Sequence, residues 1–379
     1  MKSLYWRSNT VSTPQLVAVA ALAIAGLVGV ESNPVEERDP LFETKLEAAQ
    51  LAEQAFRAVY LERIRLRIPL EPELDPAGSG LIGLPHSPIV SNEGHLTSKQ
   101  TTANPNFAAV FVEMLAEAGV EEGDLVALNL TGSFPAMNVA MYAALETIGA
   151  EPIVISSVAA SEYGATHPEL TWLDMERVLF EQDLVSFQSV AASMGGVLDV
   201  ARNHSEEGRR LIMEAIERNE KPLLSPGDYE QAVQMRLDLY DEVRGDRPIA
   251  VFVNIGGGTA SVGTSDDKRD FRPGLNTRLP RGLDRSSVMR SFLQRDVPVI
   301  HVSKIRSIAR RYGLPDAPVE TPEPGEGGVF RHSVIRTWTI LVVLVLILLA
   351  MWGATRFDLA TVFGRGGGKA DKPSPEQMV

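Results

Sequence analysis

Residues 123–174 leave few folds open. Leu125 to Leu130 is a short apolar run without helical period, the pattern of a strand covered on both faces. Thr131-Gly132-Ser133-Phe134-Pro135 then turns the chain, with Ser133 placed to cap a helix and Pro135 tolerated in its first turn. Met137, Ala140, Met141, Ala144, Leu145 and Ile148 recur at helical spacing. Gly149 ends that helix, and Pro152 to Ile155 is the next buried strand. Strand, crossover helix and strand make a βαβ unit, which binds ligands outside the carboxyl ends of its strands. The polar loops 131–135 and 156–168 both fall at that edge.

The chain beyond repeats the alternation. A helix runs from Pro105 to Ala118. Thr171 and Asp174 form a capping box that opens another, and helices follow from Glu206 to Arg218 and from Gly227 to Val243. Pro248 to Asn254 is a third strand, then come a helix over 285–294, a strand from Val297 to Val302 and a helix from Ser303 to Tyr312. This order predicts an α/β domain over residues 68–313, with a mainly parallel, Rossmann-like sheet and flanking helices. Its first part, 68–104, is rich in Pro, Gly and Ser and reads as an extended loop region. Residues 31–67 read as a polar neck and an amphipathic helix whose stripe of Leu46, Leu51, Phe56, Val59 and Tyr60 packs onto the core. Residues 314–335 read as a Pro/Gly/Glu linker.

Two apolar stretches bracket all of this. No charge occurs from Ser8 to Val30, nor from Thr337 to Thr355, and Trp338 and Trp352 stand near the two ends of the second stretch. At about 1.5 Å per residue the second is just long enough for a hydrocarbon core of about 30 Å. Residues 336–355 are therefore expected to span a membrane, and residues 14–30 to form a transmembrane anchor. Ala21-Leu22-Ala23 and Ala23-Ile24-Ala25 also satisfy the small-x-small rule of a signal-peptide cleavage site, but cleavage there leaves a very short apolar region. Lys2 and Arg7 precede the anchor, while Glu31, Glu36, Glu37 and Asp39 follow it. Arg356, Arg365, Lys369 and Lys372 dominate the tail. Residues 1–13 and 356–379 are thus expected as cytoplasmic tails of a multi-pass membrane protein whose main domain is extracytoplasmic.

A formal net charge of −13 argues against nucleic acid as a partner. The absence of cysteine excludes disulfides, thiolate metal sites and thiol catalysis. His86 and His95 share a loop without metal-ligand spacing, so neither a metal nor a cofactor is expected.

Three groups of residues carry candidate chemistry. The turn Asn254-Ile255-Gly256-Gly257-Gly258-Thr259 follows a strand and can present backbone N–H groups to an anion. It lacks the lysine of a P-loop and the third glycine of a dinucleotide fingerprint. The loops after the first two strands hold Thr131, Gly132, Ser133, Ser156, Ser157, Ser161, Glu162 and Thr166, more hydroxyls than capping requires, so a ligand pocket is expected there. A serine hydrolase at this place would use Ser133 or Ser157 as nucleophile, His167 as base and Asp174 as its orienter, although no G-x-S-x-G elbow is present. The third group is a charge pattern. Residues 268–311 carry twelve basic side chains, among them Arg269, Arg272, Arg278, Arg281, Arg285 and Arg290, against only Asp270, Asp284 and Asp296. Such a segment is either a solvated face paired with acidic neighbours or a surface for a polyanion.

The stretches SNEGHLTSKQTTANPNFAAV, LTGSFPAMNVAMYAALETIGAEPIVISSVAASEYGATHPELTWLD and FVNIGGGTASVG, with the two terminal spans, resemble the poly-γ-glutamate system protein family. These are membrane-anchored proteins associated with bacterial poly-γ-glutamate synthesis and export. The resemblance covers most of residues 80–305 and implies a role in making a capsule or exopolymer, beside the membrane components of the synthase. It implies no catalytic residues. On this reading the chain binds or guides the polymer at the membrane, with the basic segment holding a ligand that carries one carboxylate per residue. The alternatives are a hydrolase or transferase acting on the γ-glutamyl polymer, and a scaffold of the synthase complex without a ligand of its own.

Overall fold

A computed structural model describes residues 13–263, 270–280 and 286–356. The chain divides into two units, Arg38–Arg331 and the two chain ends together.

The larger unit is built on a seven-stranded sheet. β3 (Leu125–Thr131) is buried at every residue, as a strand covered on both faces must be. α5 (Pro135–Ile148) carries the chain over to β4 (Glu151–Ser157), parallel to β3 in the register Leu125↔Glu151 to Thr131↔Ser157. Gly149 ends α5 at φ 76°, a left-handed conformation natural to glycine. α6 (Trp172–Glu181), opened by the Thr171–Asp174 capping box, leads to β6 (Ala191–Ser193), and α7 (Glu206–Arg218) leads to β7 (Leu223–Leu224). α8 (Tyr229–Arg244) returns the chain to β8 (Ile249–Ile255), on the other side of β3. The short α9 (Thr259–Val262), β9 (Gly274–Asn276), α10 (Val288–Gln294), β10 (Val299–Val302) and α11 (Ile305–Arg311) complete the unit.

The strand order is β7-β6-β4-β3-β8-β10-β9, with only β9 antiparallel to its neighbour. The chain moves outward from β3 in one direction and later in the other, so the carboxyl ends of β3 and β8 mark the point where the winding reverses. Successive residues of β3 face opposite sides of the sheet. Val126, Leu128 and Leu130 join the core under α4 (Phe107–Glu117) and α5, while Leu125 and Ala127 join a second core with Tyr240, Phe252 and Phe292.

Three regions differ from the sequence reading. α2 (Phe42–Arg65) packs on α4 and α5, but through Ala48, Ala49, Ala52, Ala55, Phe56, Ala58 and Val59, while Leu46 and Leu51 are only partly buried. Alanines let the helix axes approach closely, a contact that a stripe of large residues does not reveal. The loop region 68–104 contains α3 (Leu96–Thr102) and the short β2 (Val90–Asn92), which pairs with β5 (Ala160–Ser161). It lies across the loops that follow β3 and β4. The 314–335 stretch is packed rather than free, because Val329 and Phe330 join the core and the Glu323 carbonyl accepts the Asn106 amide.

The smaller unit contains α1 (Thr13–Glu31), β1 (Val35–Arg38), β11 (Arg331–Val334) and α12 (Thr337–Arg356), with β1 paired to β11 and α1 against α12. Both helices are long and apolar enough to cross a membrane. Many of their large apolar side chains, including Ile24, Leu27, Leu341, Leu348 and Trp352, are exposed, which suits lipid rather than water.

Candidate functional site

Asn129, Asn254 and His301 interrupt the apolar runs of β3, β8 and β10, in register across the sheet: Asn129↔Asn254 and Asn254↔His301. All three are buried. The Asn129 amide donates to Asn254 Oδ1 at 3.0 Å, and Asn254 Nδ2 donates to the Gly256 carbonyl at 2.9 Å and lies 3.3 Å from His301 Nδ1. Arg236 reaches this row from α8. Its Nε donates to Asn129 Oδ1 at 3.3 Å, one terminal nitrogen donates to Ser193 Oγ at 2.9 Å, and the other lies 2.5 Å from Asp199 Oδ2. Ser193 in turn donates to Asp199 Oδ1 at 2.7 Å. Asp199 sits at φ 64°, next to Leu198 at φ 54°, a strained pair that the Arg236 contact holds in place. Each buried charge in this row is matched, so the row sets the floor of the strand edge.

Gly256 begins the turn above that floor. It stands at φ 105°, and a side chain there would run into Thr131 Oγ1, so the turn can descend onto the end of β3 only with glycine. Thr131 and Gly256 therefore meet, while Gly257, Gly258 and Thr259 are exposed or half-buried.

A second cluster lies where the loops after β3 and β4 meet α3. Lys99 is 2 % exposed. Its Nζ donates to the Ser133 carbonyl and to Ser161 Oγ at 2.8 Å, and sits 3.9 Å from the centre of the Phe134 ring. The Ser161 N–H donates to Ser133 Oγ at 3.0 Å. No carboxylate pairs with Lys99 among the described residues, and burial pulls its amine down to about 7. Lys99 was not among the residues singled out by sequence. A lone cation in a Ser/Thr-rich loop segment reads as a surface residue until α3 folds it inward.

The other expected site residues divide. Gly132 donates to the Ser157 carbonyl at 3.0 Å, and its own carbonyl accepts from Ala165, which ties the two loops together. Ser157 Oγ donates only weakly, to the Leu130 carbonyl at 3.4 Å. Thr166 clasps the Leu84 backbone in both directions, and Glu162 accepts the Gly94 N–H at 3.1 Å. Ser156 turns the other way. It accepts from the Trp172 indole and bonds Ser189, part of a buried network in which Ser189 and Tyr142 donate to Glu176. Burial raises the Glu176 carboxyl, which suits a structural role.

The structure does not assemble the His167-based triad. His167 makes no hydrogen bond to Ser133 or Ser157, and burial together with Arg63 lowers its imidazole to about 4. Asp174 is occupied elsewhere. Its oxygens accept from Thr171, Arg218 and Asn219, so it caps α6 and ties it to the end of α7.

In the basic segment, Arg295 pairs with Asp241, and Arg306 and Arg310 pair with Asp316. Arg272 and Arg278 are exposed and have no ion-pair partner among the described residues. They border a cavity of about 590 Å³ that Asp270, Leu275, Asn276 and Thr277 also line. Arg290 is half-buried and bonded, whereas Arg269, Arg281 and Arg285 lie outside the described residues. No protein-family model matches the chain, and neither do curated proteins or solved structures.

Proposed function

We propose that this chain is a membrane-anchored accessory protein that binds or guides poly-γ-glutamate, or a closely similar polycarboxylate, at the membrane beside the synthase components. The observation that carries the reading is the division among the arginines: three are spent on aspartates, while Arg272 and Arg278 stand exposed at a cavity. Two exposed guanidinium groups that make no ion pair among the described residues favour a ligand bearing repeated carboxylates. The resemblance of the loop and turn sequences to the poly-γ-glutamate system proteins supports the same ligand.

The sheet order, which winds outward from β3 in two directions, supports a Rossmann-like reading of the fold. The paired β1 and β11 strands next to the two apolar helices support anchors that enter the membrane from one side. With Lys2 and Arg7 at one end and Lys369 and Lys372 at the other, that side is extracytoplasmic. Reporter fusions at Glu326 and after Lys372 test the sidedness, and equal signals from both positions would contradict it.

The binding test uses the full chain in detergent with poly-γ-glutamate of defined length across a salt series. Retention should fall steeply with salt and should weaken in the Arg272→Ala/Arg278→Ala variant. Retention that is unchanged in that variant would overturn the assignment.

A further inference from the structure

The geometry points to a second activity at the strand edge: Ser161 is an acyl-accepting nucleophile and Lys99 its general base, acting on the carbonyl of an amide or ester. This goes beyond polymer binding and does not depend on it, since the arginine cavity and the Lys99 cluster share no residues.

The starting observation is a buried lysine with no carboxylate partner among the described residues. Taking an ammonium group out of water is costly unless a carboxylate compensates, and among the described residues Lys99 has a carbonyl, a hydroxyl and an aromatic ring. The amine resolves this by shedding its proton, so near neutral pH a large fraction of Lys99 is an unprotonated base. That base lies 2.8 Å from Ser161 Oγ, within the reach proton transfer requires. Ser133 holds the nucleophile in place, because its Oγ accepts the Ser161 N–H and its carbonyl accepts from Lys99. Ser133 is half-buried and Ser161 7 % exposed, so the cluster reaches solvent at its edge. The cluster also sits outside the carboxyl ends of β3 and β4, where open α/β sheets place their chemistry.

In the first step Ser161 Oγ bonds to the substrate carbonyl carbon and its proton passes to Lys99 Nζ. The tetrahedral intermediate then collapses by breaking the C–N or C–O bond, and the Lys99 ammonium returns the proton to the departing amine or alcohol. Water, or an acceptor amine, attacks the Ser161 ester through the same base and frees the serine.

The test treats the full chain in detergent with a fluorophosphonate and locates the adduct by peptide mass spectrometry. One adduct is expected, on Ser161, forming at a rate that rises with pH through about 7. Lys99→Arg, which keeps a cation but not a titrating base, should slow labelling by about 100-fold or more, and Ser161→Ala should abolish it. An adduct on other serines only, no adduct, or a rate indifferent to Lys99→Arg would overturn the proposal. A second measurement avoids dependence on the folding of Lys99 variants. The chain has no cysteine, so Ser161→Cys carries a single thiol. Its alkylation by iodoacetamide should titrate below the ordinary thiol value of about 8.5. Titration at or above that value would show that Lys99 does not accept the proton.

Discussion

Arg236 and Lys99 are both buried cations at the carboxyl edge of one sheet, and their surroundings are opposite. Arg236 has Asp199, Ser193 and Asn129 arranged around its guanidinium, and a group that cannot lose its proton needs such a set. Lys99 has no carboxylate among the described residues, and an amine can escape the cost of burial by becoming neutral. The lesson is that burial alone does not mark a functional residue. A matched buried charge holds the frame, whereas an unmatched titratable one becomes a reagent.

The comparison breaks most sharply at Arg236. Arg236→Met leaves Asp199 buried and uncompensated, with an expected loss of about 3–5 kcal/mol in urea denaturation followed by the fluorescence of the buried Trp172. Adding Asp199→Leu should recover part of that loss. Next in size is Gly256→Ala, which forces a side chain against Thr131 Oγ1 in a left-handed conformation and should cost about 1–3 kcal/mol. Lys99→Met should behave unlike Arg236→Met, staying within about 1–2 kcal/mol of the parent near pH 8, since a neutral amine leaves no charge behind. The pH slope sharpens the contrast. Between about 7 and the ordinary 10.5, folded Lys99 binds fewer protons than unfolded Lys99, so the parent gains stability as pH rises through that window. Lys99→Met should lack this gain. The smallest effect belongs to His167. Its lowered imidazole makes the parent gain stability from about pH 4 to 6.5 and none from this group above it, and His167→Gln should flatten that stretch of a melting-temperature profile.

How much could be read in advance follows from the range of each interaction. β3, α5 and β4 were legible because runs and helical spacing are local signals, and the apolar terminal helices are legible for the same reason. β6 and β7, two or three residues each, carry no period and exist only because the growing sheet edge pairs them. At the site, Thr131, Ser133, Ser161 and Gly256 were legible as polar or glycine residues at or just past strand ends. Ser156 was misplaced by the same rule, since alternation within β4 turns it to the opposite face. Lys99 and Arg236 were invisible because, apart from the Ala232 carbonyl one helical turn before Arg236, their partners lie 34 or more residues away. One signal stood in the sequence unused: Asn129 interrupts an apolar strand near its end as Asn254 does, and a buried amide requires a partner.

Lysine carbon NMR tests directly whether Lys99 sheds its proton near neutral pH where Arg236 keeps its own. The chain has eight lysines, so a protein labelled at lysine ¹³Cε gives few signals, and Lys99→Arg assigns the one that matters. The resonance lost in Lys99→Arg is expected to titrate near pH 7. If it titrates near the ordinary value of about 10.4 instead, the amine is a charged structural clip between two loops, and the chemistry assigned to Ser161 falls with it.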